Sequence, residues 1–379
     1  MSKWNLVSLK DIVYNLDNKR VPLNSSQRQL KESKPLYPYI GANNIMGYID
    51  EYIFDEKILC VAEDGGSWGY NQRCAVLYNE KVWVNNHAHV ITAKDNLILE
   101  YLMYYLNHTD LNLYINGATR GKLTKSSLES IQIPLPPLPQ QQKIANILDA
   151  ADALRQNDKA LIAKYDELTQ ALFLDMFGDP VSNPKSWEKE ELGNIAKKIT
   201  DGEHQNPFLS DTGKHLIMAK DVLDDKVDFS NPRFVSNEDF NKYISKCKPE
   251  YGDILLVSRG ATVGRCTIVF TEMPFCLMGS VILIKKGDSF SSEFVNSLLK
   301  NKRFLTQLTN VSSASAQQAI YISHLKKLKI ILPPLDLQNQ FAVRVKVIEE
   351  QKAIAQKSLE KSEELFNSLL QRAFKGELA

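Results

Sequence analysis

The chain has 379 residues, 44% of them hydrophobic and 24% charged, with a formal net charge of +1. That length exceeds one compact core of ordinary size, so two or more globular units are expected, and no run approaches the roughly 18 consecutive apolar residues of a membrane span. Near-neutrality excludes a protein that grips nucleic acid by phosphate attraction alone, since such proteins are strongly basic. The opening "MSKWNLVSLK" lacks the apolar core of a signal peptide, which predicts a cytoplasmic protein. Five cysteines, none in a CxxC pair, argue against a disulfide framework and a zinc site and read as small buried hydrophobes.

Residues 1–132 alternate β-rich runs with turn signals. "KILCVAE", "CAVLYN" and "HAHVITA" read as strands, and "NLILEYLMYYLN" as a helix ahead of the polar loop "INGATRGKLTKSS", which predicts an α+β domain. Its loops hold groups able to read base edges: Asn43 and Asn44 in "GANNIMG", Arg73 in "DGGSWGYNQR", Arg120 and Lys122 in "GATRGK". Arg and Lys suit guanine, Asn and Gln suit adenine, and nearby glycines let the backbone approach phosphates. Each residue taken singly also reads as an ordinary solvated side chain.

The same region argues against several chemistries. "GATRGK" has three residues between its glycines where a phosphate loop needs four, and Leu123 stands where Ser or Thr would bind magnesium. "DGGSWG" lacks the GxGxxG spacing and the βαβ setting of a dinucleotide site. His87 and His89 share one face of a strand without clustered further ligands, so they read as packed or hydrogen-bonded histidines. No GxSxG elbow or HExxH pair occurs.

After Pro139 neither proline nor glycine interrupts the chain until Gly178, which leaves room for a helix of about 55 to 60 Å. Ile144, Ile147, Ala151, Leu154, Leu161, Tyr165, Leu168 and Leu172 mark a coiled-coil stripe with Asp158 as its one polar interruption. "FGDP" supplies the stop. Residues 181–329 then repeat the strand pattern as "DILLVSR", "CTIVFT" and "SVILIKK", with a helical stretch and the polar loop "NVSSASAQQAIYIS". This region holds 21 Lys and Arg against 17 Asp and Glu, whereas residues 133–180 hold 4 against 7. Its candidate base readers are Lys220, Arg259 and Arg265 in "SRGATVGR", and Gln317 with Gln318. A last helical stripe runs Phe341, Val345, Ile348, Ala355, Leu359, Phe366 and Leu369, broken by Lys352 and Ser362.

The chain is therefore a repeat. At a constant shift of 197, Pro136-Pro137-Leu138 falls on Pro333-Pro334-Leu335, Gln141 on Gln338, Ala145 on Ala342 and Phe177 on Phe374. Trp4 and Trp187 open the two globules. Gene duplication without functional content is one reading of this; a spacer of preserved length between diverged readers is the other. A long helix with one apolar stripe needs a partner, and its own repeat offers one as an antiparallel pair, with a globule at each end of a rod; an intermolecular coiled coil is the alternative.

The pattern P-L-P-P-L-x-x-Q-x-x-I-A ahead of a long helix, its echo "LPPLDLQNQFAV", the Trp starts and the "FKGEL" ending resemble the specificity subunits of Type I restriction-modification systems along the whole chain. The second copy departs from the pattern, with Asp336-Leu337 for Pro139-Gln140 and Phe341 for Ile144. The resemblance implies two pseudo-repeated α/β target recognition domains, residues 1–132 and 181–329. It also implies spacer helix regions, residues 133–180 and 330–379, paired as an antiparallel coiled coil. It further implies double-stranded DNA as ligand, two methyltransferase subunits and restriction subunits as partners, no membrane, and no enzyme activity, cofactor or metal in this chain. S-adenosylmethionine, ATP and Mg belong to the partners. The competing readings are a methyltransferase or nuclease with a built-in reader, and a coiled-coil adaptor for proteins alone. The first lacks its motif, since both Pro-Pro pairs follow leucine rather than Asn or Asp.

Overall fold

The computed structural model of the chain describes residues 4–32, 34, 36–117, 120–310 and 319–378. It divides into two compact units, Met1–Lys159 with Lys357–Ala379, and Ala160–Gln356.

In the first unit an antiparallel sheet runs in the order Val13–Asn15, Ala88–Ala93, Ile58–Ala62, Ala75–Tyr78. A second sheet runs Ile45–Ile49, Tyr37–Ile40, Trp83–Val84, with the last pair parallel. The strand "ILCVA" is apolar throughout because both its faces are covered, as period-two alternation requires. Leu59 and Val61 join the core that contains the helix Leu99–His108, while Ile58 and Cys60 join a core with Ile40 and Val84 of the second sheet.

The second unit repeats the plan of these two sheets. Its sheets run Lys198–Asp201, Val281–Lys285, Ile254–Val257, Cys266–Ile268 and Phe234–Val235, Lys214–Ile217, Phe275–Leu277, again with the last pair parallel. Ile254 and Leu256 face the core with the helix Ser292–Lys300; Leu255 and Val257 face Ile217, Phe275 and Leu277. In each unit a two-stranded ribbon ties the start of the globule to its end, Leu6–Ser8 with Gln132–Pro134 and Lys189–Glu191 with Lys329–Ile331. All five cysteines are buried, and burial pushes the thiols of Cys74, Cys247, Cys266 and Cys276 up to about 12.

The two long helices are Leu138–Phe177 and Leu335–Lys375. Gly178 (φ 80°) ends the central one, its N–H donating to Leu174 O at 2.8 Å, and Gly376 (φ 80°) does the same service for the C-terminal one. Their pairing is antiparallel within each unit. In the first, Ser362 Oγ donates to Asp158 at 2.8 Å and Gln140 Nε2 to Leu378 O at 3.0 Å. In the second, Lys352 Nζ donates to Asp166 at 2.6 Å, and Phe173 and Phe177 pack on Phe341 at 5.8 and 5.3 Å.

The C-terminal stripe is buried in the expected phase, with Lys352 and Ser362 inside it. The central stripe needs correction. Ile144, Ala151 and Asp158 are buried and Tyr165 half-buried as expected, but Leu154, Leu161 and Leu168 are exposed. The inward positions are Leu148, Arg155, Ile162 and Thr169, each one residue later than those read from the sequence. The polar breaks survive in the seam because they are answered across it: Asp158 by Ser362, and Lys352 by Asp166.

Each helix is locked at its start by a glutamine buried completely, Gln141 and Gln338. Gln141 Nε2 donates to Pro136 O at 2.8 Å and Asn96 O at 3.0 Å, and its Oε1 accepts the Ile98 amide at 2.8 Å. Gln338 Nε2 donates to Pro333 O at 2.8 Å and Ser289 O at 3.4 Å, and its Oε1 accepts the Ser291 amide at 3.0 Å. The repeated Pro-Pro-Leu-x-x-Gln thus joins the proline linker, the long helix and the loop that starts the domain's own helix. Gln141→Met keeps the volume but orphans the Ile98 amide, which is expected to cost about 2 kcal/mol. Hydrogen exchange should quicken around residues 96–104; unchanged protection there would refute the lock.

Candidate nucleic-acid interface

Each unit contains the same hydrogen-bonded crossing at the end of its central strand. In the first, the Glu63 amide donates to His87 O at 2.9 Å and its carbonyl accepts the Leu123 amide at 2.7 Å. In the second, the Ser258 amide donates to Ser280 O at 2.9 Å and its carbonyl accepts the Ile320 amide at 2.8 Å. One residue further on, isolated bridges join Asp64 to Lys122 and Arg259 to Ala319. Leu123 and Ile320 stand 197 positions apart, so the helix register of the repeat extends to this point.

The side chains on the two frames differ. The first carries a linked set of charges. Glu63 takes Arg20 Nη1 at 2.6 Å and Lys122 at 3.0 Å, and Arg20 also donates to Ala88 O at 2.7 Å. Asp17 accepts His89 Nδ1 at 2.7 Å and the Val90 amide at 2.8 Å, and His89 Nε2 faces Leu123 O at 2.7 Å. Burial alone would raise both carboxyls. For Asp17 the His89 and Val90 hydrogen bonds and the charges of His89 and Arg20 overcome it; for Glu63 the Arg20 and Lys122 hydrogen bonds and the charges of His89 and Arg20 do so, and both groups sit below their ordinary range.

The nominated base readers fall in different places. Arg120 and Lys122 come together on the first frame, paired with Asp64 and Glu63. Asn43 and Asn44 form the hairpin tip between Tyr37–Ile40 and Ile45–Ile49, closed by the Gly41 amide on Asn44 O at 2.9 Å. Asn85 links that hairpin to the frame: its amide donates to Ile40 O and its side chain accepts the His87 amide at 2.7 Å. Arg73 is exposed in the loop before Ala75–Tyr78. In the second unit Arg259 occupies the frame, and Lys220 is the exposed residue of a single turn, Ala219–Asp221. Arg265 instead turns into a cleft of about 1080 Å³, 3.8 Å from Asp224, together with Lys300 and with Lys346 and Glu349 of the C-terminal helix. Gln317 and Gln318 lie outside the described residues. The sequence reading missed Arg20, Glu63 and Asp64, whose partners lie 20 to 70 positions away; the paired histidines of "HAHV" were their one visible sign.

Among the described residues no group of His, Cys, Asp and Glu is placed to hold a metal ion, and no helix is long and apolar enough to cross a membrane. A family model for the type I restriction modification DNA specificity domain matches residues 1–164 and again 184–364. The chain belongs to this family.

Among curated proteins, it is 29% identical over 352 residues to a putative type I restriction enzyme specificity subunit of Haemophilus influenzae, covering 88% of this chain and 84% of that one. It is 22% identical over 404 residues to the MjaVIII specificity subunit of Methanocaldococcus jannaschii, covering 99% and 93%. Among solved structures, the type I restriction-modification S subunit of M. genitalium superposes with a TM-score of 0.61 at 16% identity, over 98% of this chain and 96% of that one, and supports the fold. The protein is a sequence-specific DNA recognition subunit of the type I restriction-modification class.

The charge set on the first frame makes stability pH-dependent. Both carboxyls are depressed on folding, so their contribution is present above the ordinary values of 3.8 and 4.5 and is lost as pH falls through the lower folded values. Arg20→Met removes the buried partner of Glu63 and leaves it only Lys122 and the more distant His89, which is expected to cost about 2 kcal/mol at neutral pH. It should also flatten the acid limb of a urea-stability profile between roughly pH 5 and 3. A variant with the parental profile would show that the network contributes nothing.

Proposed function

We propose that residues 1–132 and 181–329 are two target recognition domains, each reading one half of a bipartite, asymmetric DNA site, and that the paired helices set the gap between the halves. The observation that carries this is the crossing built identically in both units but furnished differently: Asp64, His87 and Lys122 on one, Arg259, Ser280 and Ala319 on the other. Two frames of one design with unlike side chains suit two half-sites of unlike sequence. Direct reading falls to Arg120 and Lys122 with Asn43, Asn44 and Arg73 in the first domain. In the second it falls to Arg259, Lys220, Arg265, Gln317 and Gln318.

On this reading the chain has no catalytic step of its own. Two methyltransferase subunits would flip out and methylate adenine with S-adenosylmethionine, and restriction subunits would cleave with ATP and Mg. The near-zero net charge fits, because the partners' grip on the duplex supplies the phosphate attraction. Leu154, Leu161 and Leu168 support helix docking of those partners. They recur every seven residues on the central helix and are 45%, 41% and 49% exposed.

Two measurements test the reading. Co-expression with methyltransferase partners and mapping of methylated adenines should give a split motif, one half of which changes when residues 181–329 are exchanged for those of a relative. A continuous motif, or both halves changing together, would sink it. Separately, Leu161→Glu with Leu168→Glu should leave the folded chain intact, since both side chains point outward, while reducing co-purification with methyltransferase at least about tenfold. Undiminished assembly would remove the leucine row from the docking surface.

A further inference from the structure

We propose that Asp64 is a positioning residue that holds His87 and Arg120 side by side as a two-membered base reader of the first recognition domain; this rests on the reading of that domain as a half-site reader. One carboxylate oxygen, Asp64 Oδ1, accepts both His87 Nδ1 at 2.7 Å and Arg120 Nη2 at 3.1 Å. The anchor is inward and the readers outward: the side chains of Asp64, His87 and Arg120 are 20%, 39% and 67% exposed.

Every member is fixed from behind. The His87 amide donates to Asn85 Oδ1 and its carbonyl accepts the Glu63 amide, so its backbone cannot swing. Asp64 lies in the bridge with Lys122. Gly65, at φ 64°, leaves room for Arg120 to cross over it; a Cβ there would lie 2.9 Å from Arg120 Nη2. With one donor held by Asp64, the guanidinium keeps others for guanine N7 and O6, and with Nδ1 engaged His87 turns Nε2 toward the neighbouring base edge. Pre-set side chains lose little freedom on binding, which is the condition for strong discrimination.

The fold does not need this set. In the second unit the same crossing forms with Arg259 in the place of Asp64 and Ser280 in the place of His87. A group that the backbone frame dispenses with in its twin is free to serve the ligand.

The test uses the complex with methyltransferase partners, acting on a plasmid library randomised across the methylated motif. Arg120→Ala is expected to relax a guanine in one half-site, and His87→Ala the adjacent position, each by about ten- to a hundredfold in discrimination. Asp64→Ala should relax both positions together and leave the other half-site and the melting temperature unchanged. An Asp64→Ala complex with the parental motif would overturn the positioning role. Should Asp64→Ala not assemble, the two single variants decide: relaxation at adjacent positions of one half supports the set, and no relaxation or relaxation at separated positions overturns it. If domain exchange moves a half-site but these variants do not, the set alone falls; if exchange moves neither half, the half-site reading itself fails.

Discussion

Two fully buried glutamines, Gln141 and Gln338, hold the architecture together. Burying a carboxamide without partners costs several kcal/mol, so each can sit where it does only when its acceptors and donor arrive together. Those partners come from the proline linker and from the loop ahead of the domain's helix. The lock therefore fixes the direction in which a long helix leaves its domain. On the proposed reading of the helices as spacers, one that swivelled at its root would set no distance, which would give the repeated Pro-Pro-Leu-x-x-Gln a mechanical meaning beyond common ancestry.

Closing the units depends on that direction. The first globule is completed by the end of the C-terminal helix, where Phe366, Leu370 and Ala373 join its core and Phe374 packs on Tyr101 and Tyr105. The second is completed by the end of the central helix, where Phe173 and Phe177 meet Phe294 and Phe341. Each globule thus uses the start of one helix and the end of the other. Antiparallel pairing is accordingly part of each domain's core rather than a later docking step, and contacts spanning more than 250 positions in the first unit must wait for the last turns of the chain.

Much of this was legible in the sequence, and the misses have physical reasons. The repeat, the α+β globules and the helix limits followed from spacing and from proline and glycine, which act locally. The seam of the C-terminal helix was legible down to its polar breaks. On the central helix the apolar choice of Leu154 over Arg155 set the three-four spacing, which then carried the stripe to Leu161 rather than the equally apolar Ile162, yet Arg155 is the inward residue and lays its guanidinium on the Phe366 ring at 4.2 Å. Periodicity cannot tell a leucine that faces a repeat of its own chain from one that faces outward. The charge network was hidden for a different reason: apart from the histidines of "HAHV", its members Asp17, Arg20 and Glu63 are unremarkable along the chain and acquire meaning only when three segments converge.

That network also bears on the neutral overall charge. Lys122 is paired with Glu63, Arg120 with Asp64 and Arg265 with Asp224, so several cations of the two domains are already partly neutralised within the fold. A free Arg attracts any phosphate, and affinity gained in that way is the same for every sequence. An Arg whose charge is shared with a fixed carboxylate loses part of that general attraction but keeps N–H donors aimed in one direction, and directional donors distinguish one base edge from another. With the two domains reading half-sites as proposed, pairing these cations internally would lower the background against which a correct half-site is recognised, since discrimination is a difference of affinities and not their sum. On that reading, with phosphate attraction supplied by the partners, the subunit can remain nearly neutral and still be selective.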